Sequence, residues 1–449
     1  MTTLTVSTLA IMLLGVLTRL GYGRALALGG ATGAGAAFVV GTTAVPTFYA
    51  VAVGVAIAVT LDLLQRGRRG PEPQNRLPPA ASLLVAFLVW SVLVTLLAPL
   101  LFNAQPVLTP NGVGAELTAG IVTTSNIAQM GYLFLGVCVV IFLGRSPRAT
   151  PQLLGLAAGL TTLLCLWRYF HQTFGLPFPD DVFDNSPAFS YVETAPKGVQ
   201  RFRGILSEPA GLAVSSLVTM SYMLPRALRV RGVRRWGAVL IAAAACYLGI
   251  ISTSATFVVG GALVLAVVGV SLGFGFLVRR VSIGAVATVV GCVLVLVALA
   301  ILPVVYGFVE DTVNAKVSSS SYTERSGANG SSYAIFLDTW GFGVGLGSSR
   351  ASSFLPGLLS TTGLIGTVLF VAAVVTLLVR SARVDAYRPV VWALVSLLLV
   401  KVVSGPDLSD STGILWIALG LLSRAAVPAV PEPGLDSPAL TQLAPRSMS

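Results

Sequence analysis

Apolar segments of about 20 residues recur from end to end of the chain, and they constrain its fold more than any other feature. An α-helix needs a stretch of about that length to cross the hydrocarbon core of a bilayer. Hydrophobic residues make up 55% of the chain and charged residues only 10%. A soluble domain of this size could not bury so much apolar surface. The sequence therefore predicts a polytopic helical membrane protein.

The predicted fold class is all-α, a transmembrane bundle of about 13 helices, within a range of roughly 12–14. The apolar runs lack the polar–apolar alternation of a membrane β-barrel, so strands are not expected. Residues 1–424 are predicted to form a single membrane domain, and residues 425–449, rich in Pro and Ala, a disordered cytoplasmic tail. The predicted spans are 3–20, 25–42, 46–64, 80–100, 126–144, 152–170, 209–225, 237–252, 255–278, 281–306, 356–379, 389–404 and 411–423.

Basic residues are unevenly distributed between the two predicted sides of the membrane. Twenty of the 28 lie in one set of connecting segments and the tail, and six lie in the opposite loops. By the positive-inside rule the first set is cytoplasmic, which places the N-terminus outside and the C-terminus inside. The net charge of +11 requires no nucleic-acid partner, because its excess lies in these cytoplasmic segments. We therefore expect a multi-pass protein of the cell (inner, cytoplasmic) membrane.

Two extracytoplasmic loops, 171–208 and 307–355, are predicted to be too long to serve only as connections. Arg201, Arg203 and Glu208 lie at the end of the first loop. Arg325 and Arg350 lie in the second. A chain with so few charges that keeps arginines and a carboxylate at the membrane boundary is predicted to handle a charged, polar or lipid-linked substrate there.

Four short motifs lie in order at predicted outer helix ends. They are Arg201-Phe-Arg-Gly-Ile-Leu-Ser-Glu-Pro209, Ser252-Thr-Ser-Ala-Thr256, Gly341-Phe-Gly-Val-Gly-Leu-Gly-Ser-Ser-Arg350 and Leu359-Ser-Thr-Thr-Gly-Leu-Ile-Gly366. Together they resemble the O-antigen polymerase/ligase superfamily over residues 126–424. The resemblance implies an inverting, metal-independent glycosyltransferase embedded in the membrane. Such an enzyme takes a glycan from a polyprenyl diphosphate at the outer membrane face and joins it to an acceptor hydroxyl.

Residue chemistry is compatible with this activity, because guanidinium groups bind a diphosphate leaving group through paired, charge-assisted hydrogen bonds. Arg203 and Arg350 are predicted to grip the donor diphosphate, and Glu208 to act as the base that takes the acceptor proton. Glu324 is a second candidate base. No Asp-x-Asp pair is present, so neither a metal nor a cofactor is expected. The predicted substrate-binding residues are Arg201, Arg325, Glu324, Tyr322, Ser252 and Ser254.

Several of these residues also have a structural interpretation, which the sequence leaves open. Arg201 and Arg203 are alternatively interface anchors, and Glu208 is alternatively a helix N-terminal charge or the ion-pair partner of Arg203. The glycine run 341–347 is alternatively a re-entrant turn without ligand contact, and the hydroxyls of 252–256 alternatively bond to helix carbonyls.

Two charges lie within or at the ends of predicted spans, away from the outer loops. Arg168 and Lys401 are predicted to be interface or bundle charges, with Lys401 paired to Asp407 or Asp410.

A polymerase of polysaccharide repeat units is the favoured function, because the only histidine, His171, precedes the first-loop motif. In the ligase branch that the resemblance includes, a histidine is expected in the second loop. A ligase for another acceptor stays open, as does a lipid-linked glycan transporter or flippase, which would bury ionisable groups near the membrane centre. The expected partners are a polyprenyl-diphosphate-linked oligosaccharide, an acceptor glycan, the lipid bilayer and envelope polysaccharide assembly proteins.

Overall fold

The computed structural model describes residues 8–13, 21–40, 43–67, 78–109, 112–186, 191, 200–279 and 320–426. Over these ranges the protein is mostly α-helical, with two small antiparallel hairpins. The predicted span 281–306 and residues 427–449 of the predicted tail lie outside the described residues. Of the predicted span 3–20, only residues 8–13 are described, and they are helical.

The helices and strands follow one another from the N-terminal part of the chain to its end. The helices are α1 (Tyr22–Ala31), α2 (Thr47–Gly67), α3 (Ala81–Leu101), α4 (Thr124–Arg145), α5 (Gln152–Phe174), α6 (Asp180–Phe183), α7 (Pro209–Ala227), α8 (Val233–Ile251), α9 (Ala255–Arg279), α10 (Ser320–Asp338), α11 (Phe354–Ser381), α12 (Arg388–Val403) and α13 (Ile414–Ala425). The strands are β1 (Ala36–Val40), β2 (Thr43–Pro46), β3 (Pro106–Leu108) and β4 (Gly114–Glu116).

Within the described part of the chain, six helical stretches are long and apolar enough to cross a membrane. They are α3, α4, α5, α8, α11 and the stretch Asp385–Val403, which contains α12. The protein is therefore a multi-pass membrane protein by helix length and composition. The larger count of about 13 spans and the orientation stay predictions.

Helix α13 lies at the centre of the bundle, in contact with α1, α4, α5, α11 and α12. Every residue from 414 to 423 is buried. Trp416 packs against α4 at Gly136, where an added side-chain carbon would lie 2.4 Å from the indole ring. A helix that is apolar all round either spans a membrane or is buried in a protein core, and here neighbouring helices cover it.

The predicted span 25–42 is wrong, because its helix ends at Ala31 and is followed by the β1–β2 hairpin. Glycines interrupt the segment, and the backbone at Gly33 passes so close to Ile205 that a side-chain carbon would lie 2.7 Å from its carbonyl oxygen. Asn185 holds the hairpin, accepting from Ala36 N at 2.9 Å and donating to Ala36 O at 3.0 Å. The all-α expectation is corrected to a helical bundle with two hairpins, of which β3–β4 is the second.

Part of the predicted second outer loop, 307–355, is helical, because it contains α10. One side of this helix is buried through Ala328, Ser332, Ile335 and Thr339. Small and hydroxyl-bearing residues dominate the sequence of α10, so an apolar window could not identify it. Asn329 links α10 to the start of α11, accepting hydrogen bonds from the backbone nitrogens of residues 352 and 353 at 2.9 and 3.1 Å.

Helix α11 is interrupted at Gly363, whose φ of 66° and ψ of −170° are not helical. The break leaves carbonyl groups that need new donors, and unsatisfied backbone groups are costly in a membrane. Ser360 O accepts from Val344 N at 2.8 Å, and Thr361 O accepts from Gly345 N at 3.0 Å. Trp90 Nε1 donates to the next carbonyl, of residue 362, at 2.8 Å. The glycine run therefore completes the hydrogen bonding of a discontinuous helix.

All four glycines of the run 341–347 have φ between 76° and 89°, which other residues rarely adopt. An added side-chain carbon at Gly345 would lie 2.6 Å from Thr95 Cα, and one at Gly347 would lie 2.6 Å from Ser125 O. This close packing favours the interpretation as a structural turn.

Replacing Gly345 by Ala is expected to destabilise the protein by about 2–4 kcal/mol, from the unfavourable φ and the overpacking against Thr95. Thermal unfolding in detergent measures the change. Gly330→Ala is the matched control, because Gly330 lies in α10 with open space around it, and there the change is expected to be neutral or stabilising. Equal stability of the two variants would contradict the structural role of the run.

Candidate functional site

Two buried arginines share one carboxylate in the first predicted outer loop. Arg168 Nη1 and Nη2 donate to the two oxygens of Asp184 at 2.9 and 2.7 Å. Arg203 Nη1 donates to Asp184 Oδ1 at 3.1 Å, and its Nη2 contacts Oδ2. Arg203 Nη1 also donates to Leu206 O at 2.8 Å. We name Arg168, Asp184 and Arg203 the Asp184 cluster.

Aromatic rings complete the surroundings of the Asp184 cluster. The guanidinium of Arg203 lies 4.7 Å from the ring centre of Tyr191, and that of Arg168 lies 5.7 Å from the ring centre of Phe178. Burial opposes ionisation of Asp184, but hydrogen bonds from Arg168 and then Arg203 outweigh it and lower the pKa of the carboxyl. The cluster is therefore an ion-paired structure that joins α5 to both ends of the loop.

Arg203 was predicted to grip a diphosphate, yet its side chain is only 3% exposed and is bound to Asp184 and Leu206. Such an arginine is better suited to fixing the loop than to binding a substrate. The sequence suggested Glu208 as one possible partner for Arg203, whereas the structure pairs it with Asp184. Asp184 was missed because it lies 19 residues earlier, and only the fold of the loop brings the two together.

Arg201, two residues away from Arg203, has different surroundings, near the N-terminal ends of α7 and α9. Its Nε donates to Thr253 Oγ1 and its Nη2 to Thr253 O, both at 3.4 Å. Partial burial and then the positive charge of Arg325 lower the pKa of Arg201, while the negative charge of Glu208 opposes this shift. Arg201 and Arg325, from the two predicted outer loops, therefore lie within electrostatic reach of each other.

Glu208 and Arg325 are both exposed beside Arg201. Glu208 is the residue immediately before α7, where its charge is also favourable for the helix N-terminus. Arg325 lies in the first half of α10. Tyr322 and Glu324 lie in the same helix, and their side chains are outside the described part of the structure.

Ser252 and Ser254 are buried, in contrast to the substrate-binding role predicted for them. Ser252 Oγ donates to Gly249 O at 2.6 Å and accepts from Ser254 N at 3.3 Å. These local bonds match the alternative in which the hydroxyls bond to backbone groups. The exposed residue of the turn is Thr253, which the sequence did not single out and which has a strained φ of 48°.

Arg350 lies within electrostatic reach of Asp407, which is in the loop between α12 and α13. Its backbone nitrogen donates to Leu108 O at 2.7 Å, and its side chain is exposed. Lys401 Nζ donates to Asp407 O at 2.7 Å and lies 3.8 Å from Asp410 Oδ2. The predicted pairing of Lys401 with one of these residues is thus confirmed for Asp410.

Asp407 is the functional candidate that sequence reasoning missed. Its side chain is exposed in the loop between α12 and α13. Burial raises the pKa of Asp407, with Lys401 opposing the shift, Asp410 adding to it and Arg350 opposing it again. A carboxylate with a raised pKa beside a lysine and an arginine is a candidate functional group.

A chain of contacts leads from Arg325 on α10 to Lys401 on α12, which contacts Asp407 and Asp410. Arg325 is one turn before Asn329 on α10, and Asn329 holds the residues just before Phe354. The ring of Phe354 lies 5.5 Å from Lys401 Nζ.

Among the described residues, no group of three or more His, Cys, Asp or Glu side chains is arranged to hold a metal ion. No protein-family model matches the chain, and no curated protein matches it in sequence.

Proposed function

We propose that the protein is a polysaccharide polymerase that transfers a glycan from a polyprenyl diphosphate to an acceptor sugar hydroxyl at the outer membrane face. One observation supports the proposal: Arg201 and Arg325 come from the two different predicted outer loops, and the positive charge of Arg325 contributes to lowering the pKa of Arg201. Two like charges brought together at a partly buried position repel each other; Glu208 offsets part of this repulsion, and a bound anion would offset it further. A diphosphate supplies that anion, and guanidinium groups bind it in pairs.

In the proposed reaction the acceptor oxygen attacks the anomeric carbon from the face opposite the diphosphate. The bond between that carbon and the diphosphate oxygen breaks, and its electron pair leaves with the diphosphate. Arg201 and Arg325 stabilise the charge that develops there. Glu208, beside them, takes the hydroxyl proton, and Asp407 is a second candidate because its raised pKa favours proton uptake.

The multi-pass architecture supports an enzyme that meets its lipid-linked donor within the bilayer and its acceptor glycan in water. A location in the cell membrane, together with envelope polysaccharide assembly proteins, belongs to the same proposal.

The activity is tested with purified protein in liposomes that contain a polyprenyl-diphosphate-linked oligosaccharide. We expect longer glycans and free polyprenyl diphosphate, with one diphosphate released for each bond formed. In cells, disruption of the gene should leave single lipid-linked repeat units without polymer. Movement of the intact donor to the opposite leaflet with no new glycosidic bond would instead identify a flippase.

Replacing Glu208 by Gln is expected to lower the transfer rate about 100-fold, because the amide cannot take a proton. Glu116→Gln is the matched control, since Glu116 is another exposed carboxylate, in β4. Initial rates at saturating acceptor, normalised to the amount of protein in the membrane, measure the change. A normal rate for Glu208→Gln would remove this residue from the mechanism and leave Asp407 as the candidate.

A further inference from the structure

The exposed side of helix α10 changes from polar or small residues to large apolar ones about halfway along the helix. In its first half the exposed residues are polar or small and include Arg325, Gly327 and Gly330. In its second half the exposed side carries Tyr333 and Leu337, and Trp340 follows just after the helix. Leu337 is 70% exposed and Trp340 is 87% exposed, which is unusual for side chains of this size in water.

The segment after α10 lies between two candidate membrane spans. Phe342 lies over Trp90 of α3, with ring centres 6.0 Å apart, and shares an apolar groove with Leu97 and Leu101 of that helix. On the other side, Leu364 N donates to Gly341 O at 2.8 Å. The end of α10 is therefore continuous with the exposed apolar surfaces of α3 and α11.

The ends of α3 and α11 indicate how deep residues 340–342 lie in the bilayer. Leu101 is the last residue of α3, and Leu364 is the first residue of α11 after the break. Residues 364–381 form an uninterrupted helix about 27 Å long, close to the thickness of the hydrocarbon core of about 30 Å. Both helix ends therefore lie near one boundary of the bilayer, and residues 340–342 lie at the same level.

A polar contact supports the placement of this segment near the bilayer boundary. Gln105 Nε2, four residues beyond the end of α3, donates to Asp338 Oδ2 at 3.3 Å. Both groups are exposed, which suits the headgroup region. Trp340 has a φ of 51°, strained for an aromatic residue, and this conformation directs the chain from α10 into the glycine run.

We propose that the second half of α10, with Leu337 and Trp340, is inserted into the bilayer leaflet at this end of the bundle. Under the predicted orientation this is the outer leaflet. Lipid acyl chains and headgroups cover these two side chains, because tryptophan is favoured at the membrane–water boundary and leucine in the hydrocarbon below it. The first half of α10, with Arg325, stays in water. The inference concerns membrane contact and does not depend on the proposed enzymatic activity.

Spin labels test the insertion in liposomes of phosphatidylethanolamine and phosphatidylglycerol. Leu337→Cys and Trp340→Cys are labelled in a chain in which Cys138, Cys165, Cys246 and Cys292 are replaced by Ala. Gly327→Cys and Gly330→Cys are the matched controls on the polar half of the same helix, where open space surrounds both positions. Power saturation compares accessibility to oxygen, which concentrates in lipid, with accessibility to a nickel chelate, which stays in water.

We expect labels at 337 and 340 to favour oxygen over the nickel chelate, and labels at 327 and 330 to favour the chelate. Equal, water-like accessibility at all four positions would overturn the proposal. Protection of 337 and 340 from both reagents, with spin–spin broadening, would also overturn it and identify a second copy of the chain as the cover.

A second measurement uses the protein without labels. The fluorescence difference between the wild-type chain and Trp340→Phe isolates the signal of Trp340 among the six tryptophans. Insertion predicts that brominated lipids quench this difference signal strongly and aqueous iodide weakly. The reverse order of quenching would overturn the proposal even if the labelled variants fail to fold.

Discussion

Replacing Asp184 by Asn is expected to destabilise the protein by about 3–5 kcal/mol, because two buried arginines would lose the charge that compensates both of them. Arg168 and Arg203 each place two nitrogens against this carboxylate. The amide of Asn offers one acceptor and no charge. The loop between α5 and α7 would detach before the bundle itself unfolds.

Thermal unfolding and limited proteolysis of the detergent-purified protein measure this effect. Asp181→Asn is the matched control, because Asp181 is an exposed carboxylate only three residues away, and its loss should change stability by less than about 0.5 kcal/mol. Similar stability of the two variants would show that the Asp184 cluster does not support the fold.

The same carboxylate predicts how stability depends on pH. The pKa of Asp184 is lowered in the folded protein, so its stabilisation is fully present above the ordinary carboxyl pKa of about 3.9. It is lost as the pH falls through the lowered folded pKa. Asp184→Asn should therefore show a weaker loss of stability below about pH 4 than the wild-type chain.

Replacing Arg201 or Arg325 by Ala is expected to lower glycan transfer about 100-fold, and the double replacement about 1,000-fold. Each guanidinium is proposed to stabilise charge on the departing diphosphate, so its contribution grows in the transition state. Lys should recover little, because an ammonium lacks the planar pair of donors. An interface anchor would behave differently, since Lys also reaches the headgroups.

Rates of diphosphate release from a lipid-linked donor measure the effect, at equal protein in the membrane. Arg229→Ala serves as the control, because Arg229 pairs with Asp385 in a predicted cytoplasmic segment. Near-normal rates for both Lys variants would return Arg201 and Arg325 to an anchoring role and remove the main support for the proposed function.

The long apolar helices were predictable because only composition and length define them. The predicted spans 80–100, 126–144 and 152–170 match α3, α4 and α5 to within four residues at each end. Helix α10 and the hairpin β1–β2 were not predictable in this way. Their stability comes from distant partners such as Asn185, which no local window contains.

The candidate site was predictable in composition but not in pairing. The sequence placed arginines and a carboxylate in the outer loops, but it could not show that Arg203 would be buried against Asp184 while Arg201 would lie near Arg325. Arg201 and Arg203 are only two residues apart, but the side chain of Arg203 is buried and that of Arg201 is partly exposed, because the loop turns between them. Asp407 was missed because its raised pKa depends on helix ends that meet only in the folded bundle.

The central helix has a consequence for the permeability of the membrane. Helix α13 has 12 residues and is therefore about 18 Å long, much shorter than a hydrocarbon core of about 30 Å. At the N-terminal end of α13, the loop with Asp407 and Asp410 contacts Lys401 of α12, so charged groups lie next to this short helix. In a bilayer, the apolar layer that α13 itself supplies between the two aqueous phases is about 18 Å thick. The buried residues of α13, Trp416 among them, must then act as the seal that prevents protons and ions from leaking through the protein.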